Sequence, residues 1–137
     1  LSAEVALFEL RRQQQLTVKG AATLTANILS GRPHWVQLLI VGVDEDGGHV
    51  YSIDSAGGSI PDVYCATGSG SPYMYGVLED GFEDGMSRTD ALKLAARALS
   101  ASGQRDAASG NGMDLAVITA ADGFQLLSPD EVIKLLK

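Results

Sequence analysis

Apolar residues recur at helical spacing over the first thirty positions and in three later segments, with short β-branched runs between them. In LSAEVALFELRRQQQ, Ala6, Leu7, Phe8 and Leu10 form an apolar stripe and Glu9, Arg11 and Arg12 are left for solvent, which predicts an amphipathic helix. Its first residues already read as helix interior, so the helix is expected to lack its beginning, while Gln13 to Gln15 continue or end it. A second helix fits Val18 to Leu29, with Ala21, Leu24, Ile28 and Leu29 on one face and Gly31-Arg32-Pro33 as its stop. Val36 to Val43 and His49 to Ile53, joined by the turn Asp44-Glu45-Asp46-Gly47-Gly48, read as a β-hairpin. Val63-Tyr64-Cys65-Ala66-Thr67 is expected to add a third strand in an antiparallel meander, ending at Gly68-Ser69-Gly70.

Ser71 and Pro72 then offer an N-cap and a first-turn proline to a helix through Met74, Val77 and Leu78. Ser87-Arg88-Thr89-Asp90 resembles a capping box, and Leu92, Ala95 and Leu99 continue the apolar face of the helix behind it. Leu115 to Thr119 and Phe124 to Leu126 form a second hairpin around Ala121-Asp122-Gly123. Ser128-Pro129-Asp130-Glu131 supplies cap, proline and an acidic first turn to a closing helix through Val132, Ile133, Leu135 and Leu136. Helices and strands come in segregated blocks rather than alternating βαβ units, so the expected class is α+β with antiparallel sheets, and helix pairs beside strand blocks favour a layered sandwich. There is no internal repeat that would indicate a solenoid.

The 137 residues are enough for one domain with one sizeable core, so residues 1–137 are taken as a single domain. Ten basic against seventeen acidic residues leave a net charge of −7, and the basic residues are dispersed, which argues against nucleic acid as a partner. No apolar run reaches the roughly 18 residues needed to span a bilayer, so a soluble protein without membrane association is expected. The single cysteine, Cys65, excludes an internal disulfide and suits a reducing cytoplasm. It is read as a packing thiol in a strand.

Two junctions carry candidate chemistry. Gly68-Ser69-Gly70-Ser71 runs from a strand into a helix, where small residues permit close backbone approach and helix amides can face an anion; the competing reading is a tight glycine turn. It matches neither the P-loop nor the nucleophile-elbow pattern. Arg105-Asp106-Ala107-Ala108-Ser109-Gly110 follows a helix, and Asp106 with Ser109 is either a compact polar pair at a sheet edge or a turn that satisfies its own amides. His34 and His49 lack partners at ligand spacing, and Asp44-Glu45-Asp46-Gly47 has no closing glutamate, so neither a metal nor another cofactor is expected. Glu79, Asp80, Glu83 and Asp84 read as a solvated turn that could still meet a basic partner.

Three segments together resemble a known family: Tyr64-Cys65-Ala66-Thr67-Gly68-Ser69-Gly70-Ser71, Tyr75-Gly76-Val77-Leu78-Glu79 and Arg105-Asp106-Ala107-Ala108-Ser109-Gly110. In order and spacing they are similar to the β subunit of the proteasome core particle, of archaeal or actinobacterial type, and the resemblance runs from the first helix to the last. It implies an N-terminal-nucleophile hydrolase fold, an antiparallel β sandwich between helical layers, with its N-terminal strands missing here. It implies a threonine-type endopeptidase whose processed first threonine attacks a peptide carbonyl while its α-amine, with a pKa of roughly 7.7–8.0, takes the proton. Ser69, Asp106 and Ser109 match the family's supporting residues, which hydrogen-bond that amine and an ordered water. Asp54 matches a position lining a neighbouring subunit's substrate channel.

The nucleophile and the strand-borne Asp and Lys of the family have no counterpart in this chain, which resembles the C-terminal two-thirds of a subunit and is expected to be inactive alone. The partners implied are other β subunits in a seven-membered ring, α subunits in outer rings, unfolded polypeptide as substrate, and an ATPase regulator where one caps the barrel. The alternatives carried forward are a noncatalytic structural or assembly subunit of the ring, and an anion-binding domain using the turn from Gly68 to Ser71.

Overall fold

Five helices and five strands form among the described residues, 1–32 and 34–136, of this computed structural model. They fall into two compact units, Leu1–Cys65 and Ala66–Lys137. The class is α+β with two small antiparallel sheets. No helix among the described residues is long and apolar enough to cross a membrane.

The first unit opens with α1 (Ser2–Arg12), which ends where Gln13 turns left-handed at φ 50° and donates its N–H to Glu9 O. The expected stripe does not reach a core, since no α1 residue is buried and Leu10 is 77% exposed. Leu7 and Phe8 instead line an open groove with Leu16 and Leu24. In α2 (Val18–Gly31), Thr17 accepts from Gly20 N, and the Asp44 carboxylate accepts from Val18 N at 3.0 Å, so the strand hairpin helps to cap this helix. Pro33, read as part of its stop, lies outside the described residues. The buried face is Val18, Ala22, Thr25, Ala26 and Leu29, rotated from the predicted one, and Ile28 is 41% exposed. Small side chains win this face because the sheet must come close: a β-carbon on Gly42 would lie 2.8 Å from Val18 Cγ2. Thr25 can join them because its hydroxyl donates to Ala21 O at 2.8 Å.

Strands β1 (Leu38–Asp44), β2 (Gly47–Ile53) and β3 (Ser59–Asp62) form the meander in the order β1-β2-β3. Pairing Ile40 with Tyr51 and Tyr51 with Pro61 sets the register. Tyr51 and Ile53, two residues apart, fall on one side of the sheet and close a core with Val18, Ala22, Ala26 and Leu29 of α2. The third strand lies earlier than residues 63–67, where the sequence places it. Pro61 is tolerated because β3 is an edge strand and needs no outward N–H. Beyond Asp62 the chain leaves the sheet, and Ala66 N donates to the Tyr75 hydroxyl. Cys65 is therefore half-buried outside any strand; burial and the Asp62 charge raise its thiol pKa against a smaller opposing effect of Ser52.

The second unit contains α3 (Ser71–Gly81), α4 (Arg88–Arg105), β4 (Ala116–Thr119), β5 (Gly123–Leu126) and α5 (Pro129–Leu135). Gly70, not Ser71, is the N-cap of α3, and no side chain caps it. Leu78 is buried with Met74 and Val77 half-buried beside it, as the spacing predicts. Ser87 accepts from Asp90 N at 3.1 Å, but the Asp90 carboxylate returns to the Ser87 hydroxyl rather than to its backbone. Helix α4 buries two faces. Leu94, Ala98 and Ser102 form one row, meeting Gly81 and Gly70 at the two ends of α3. Ala96 turns instead to a cluster with Leu115 and Val132, which the predicted residues Ala95 and Leu99 flank half-buried. Strands β4 and β5 pair antiparallel, and the capping box of Ser128 with Glu131 starts α5.

Candidate functional site

The second unit brings Ser69, Asp106 and Ser109 together although 37 positions separate the first two. Asp106 is the C-cap of α4, where its N–H still donates to Ser102 O and its φ of −96° and ψ of 116° turn the chain outward. Its backbone carbonyl accepts from Ser109 N at 3.2 Å and its Oδ1 from Ala108 N at 3.2 Å, so one residue closes a turn with both its backbone and its side chain. That turn aims Ser109 back at the carboxylate, and Ser109 Oγ donates to Asp106 Oδ2 at 2.6 Å. The other arm comes from the start of α3. Gly68 takes φ 93°, a conformation that favours glycine, and presents Ser69, whose Oγ donates to the same Oδ2 at 2.6 Å.

These bonds decide the chemistry. The Ser109 hydroxyl first, then the Ser69 hydroxyl and the Ala108 N–H, hold the Asp106 carboxyl below its ordinary 3.8, so it is an anion at neutral pH. Each serine hydroxyl has one hydrogen, and both are given to Asp106. The remaining lone pairs of Ser69 and Ser109 can therefore only accept. Such a group binds a donor: an amine, an ammonium or a water. It does not make a nucleophile of either serine, since a carboxylate of lowered basicity is a poor base and no histidine occurs in residues 66–137. It also disfavours an anion ligand, because the amides of Ser71, Tyr73 and Met74 are committed to the carbonyls of Gly68 and Gly70 and the nearby fixed charge is negative.

One neighbour escaped the sequence reading. Ser102 is buried at 5% exposure with its Oγ 3.0 Å from Ser109 Oγ, and Gly70 is buried against it, with no room there for a β-carbon. The signal was present in the row Leu94, Ala98, Ser102, in which a polar residue continues an apolar spacing of four.

Asp54 belongs to the first unit and is occupied in its own turn, where Oδ1 accepts from Ala56 N and Gly58 N at 2.8 Å each. Asp44 holds His49 Nε2 at 2.9 Å as well as the start of α2, which makes it a fastening of the hairpin. Glu79, Asp80, Glu83 and Asp84 are exposed, and among the described residues no three His, Cys, Asp or Glu side chains gather as a metal would require.

Comparison with known proteins adds what local geometry cannot. A family model described as "Proteasome subunit" matches residues 1–118. A protein of Methanosphaera stadtmanae named "Proteasome subunit beta" is 40% identical over the whole chain and 66% of its own length. Proteins of the same name from Methanothermobacter thermautotrophicus and Thermoplasma acidophilum are 46% and 44% identical, over 98% and 96% of the chain and 65% and 64% of their own lengths. The chain thus spans about two-thirds of the length of the curated relatives it matches.

Proposed function

The chain belongs to the proteasome subunit family, and on that premise we propose that it is the larger part of a β-type subunit of the proteasome core particle. The complete subunit acts as a threonine-type endopeptidase on unfolded polypeptide, its nucleophile supplied by sequence upstream of Leu1, and the 137 residues alone do not cleave. Residues 1–137 then make up one partial domain of the family's class, an antiparallel sandwich between helical layers. The subunit works in the cytoplasm, within a seven-membered ring of β subunits flanked by α subunits, open to regulation by an ATPase cap.

The observation that carries this reading is the pair of serine hydroxyls whose hydrogens are both turned onto Asp106. A threonine that uses its own α-amine as base needs that amine held in one orientation, with its N–H groups engaged and its lone pair facing the hydroxyl to be activated. Lone pairs on Ser69 and Ser109 meet that need, and the Asp106 anion keeps them from turning round. In this role the three are positioning residues, while bond cleavage falls to the threonine. Asp54, whose Oδ1 accepts from two amides of its own turn, is assigned to the substrate channel of a neighbouring subunit.

The test is the complete subunit assembled with its α partners and offered small fluorogenic peptides. Hydrolysis that falls at least tenfold in kcat in Asp106→Asn, with the particle intact by sedimentation, is the expected result. An intact particle that cleaves nothing would reassign the subunit to a noncatalytic structural or assembly role.

A further inference from the structure

Ser102 and Thr25 are the buried polar residues among those described, and they differ in what they reach. Thr25 bonds within its own helix. Ser102 reaches outside α4 to Ser109, seven residues on, with 3.0 Å between the two oxygens. A hydroxyl carries one hydrogen, and that of Ser109 is given to Asp106 at 2.6 Å. The hydrogen between Ser102 and Ser109 therefore belongs to Ser102. The chain of donation runs one way, from Ser102 to Ser109 to Asp106, and Ser69 joins at the same carboxylate oxygen. Bonds that end on a charge polarise those behind them. On the other side, Gly70 has no space for a β-carbon between itself and Ser102 Oγ, so the loop that presents Ser69 rests on the same hydroxyl.

We propose that Ser102 is a positioning residue of this site: by donating to Ser109 Oγ it holds the Ser109 hydrogen on Asp106, and by contact with Gly70 it sets the loop that carries Ser69. This rests on the reading of Ser69, Asp106 and Ser109 as the group that orients an amine. Without Ser102, Ser109 gains a free lone pair and can rotate to accept from solvent. The amine then meets a hydroxyl that is no longer fixed as an acceptor.

The experiment compares kcat and KM on a fluorogenic peptide for the complete assembled subunit and its Ser102→Ala, Ser109→Ala, doubly substituted and Asp106→Asn forms. Ser102→Ala is expected to lower kcat about 3–10-fold, the worth of one hydrogen bond, with KM within about twofold of the parent. In the Ser109→Ala background it should cost clearly less, because the part of its effect that passes through Ser109 is already gone and only the contact with Gly70 remains to be lost. A merely structural serine would lower activity equally in both backgrounds, which overturns the assignment. Loss in Asp106→Asn and Ser109→Ala with none in Ser102→Ala overturns the role of Ser102 alone; parental kcat in all of them overturns the amine-orienting site and this assignment with it. Carboxyl-detected NMR titration of the complete subunit gives a second readout that needs no turnover. The Asp106 carboxyl pKa should rise in Ser102→Ala as the Ser109 hydroxyl becomes a weaker donor, and an unmoved titration contradicts the proposal.

Discussion

Two glycines six residues apart should respond to the same substitution with opposite signs. Gly70 has φ −83° and ψ −3°, which any residue adopts, so Gly70→Ala carries no backbone strain and would by itself gain about 0.4–1 kcal/mol from a stiffer unfolded chain. The new β-carbon, however, falls on Ser102 Oγ and lies 3.0 Å from both Ser102 Cβ and Ser109 Oγ. Serine is too short to swing clear without moving α4. Overpacking of this kind costs about 1–3 kcal/mol, and turning the buried Ser102 hydroxyl from its partner costs about 1–3 more. At the centres of these ranges the balance is a destabilisation of about 3 kcal/mol. Gly76 lies inside α3, exposed, with nothing within 4 Å of an added β-carbon, so Gly76→Ala should stabilise by about 0.5–1 kcal/mol. Urea unfolding followed by far-ultraviolet circular dichroism reads both. At a slope near 2 kcal/mol/M the midpoint should fall by roughly 1–2 M for the first and rise by roughly 0.3–0.5 M for the second. In a Ser102→Ala background the cost at position 70 should shrink by about 1 kcal/mol or more, because the obstructing oxygen is gone. Shifts of the same sign at the two glycines, or an undiminished cost after Ser102→Ala, would refute the close contact between the Ser69 loop and α4.

Ile53→Ala removes three carbons from a side chain that is 1% exposed between the meander and α2, so about 2.4 kcal/mol of transfer energy and a cavity penalty should add to about 3–4 kcal/mol in the same urea experiment; a loss below about 1 kcal/mol contradicts that core. Because hydrogen bonds from Ser109, Ser69 and Ala108 lower the folded pKa of Asp106, its contribution to stability is complete above the ordinary 3.8 and disappears as pH falls through the folded value. Acid unfolding should therefore show Asp106→Asn less stable than the parent near neutrality, with the gap narrowing as pH falls below 3.8 and through the folded value, and a gap that widens toward acid would contradict the lowered pKa.

What the sequence discloses here is what adjacent residues enforce. Ser128 to Glu131 and Ser87 to Asp90 are legible because each cap closes within three residues, and the first hairpin because its turn sits between two β-branched runs. The third strand is misplaced because its position depends on pairing with β2, and Pro61 hides an edge strand that only such pairing reveals. The buried face of α2 is set by how closely Gly42 lets the sheet approach, which no helical period encodes. At the site, spacing alone left Asp106 and Ser109 as either a polar pair or an ordinary turn, and the structure makes them both at once. Ser69 was linked to them only through resemblance to a family, since the contact spans 37 positions. Ser102 passed unnoticed in an alanine-rich helix, where one hydroxyl changes neither period nor charge.

The proposed role of Ser69 and Ser109 turns on an amino group that they would receive. Its most direct test is an experimental structure of the complete subunit, measuring from the free α-amine of its first residue to Ser69 Oγ and Ser109 Oγ. A threonine amine within hydrogen-bonding reach of those oxygens, at roughly 3 Å, is the predicted result. An amine lying beyond about 5 Å from both, or a first residue with no side-chain hydroxyl, would contradict it.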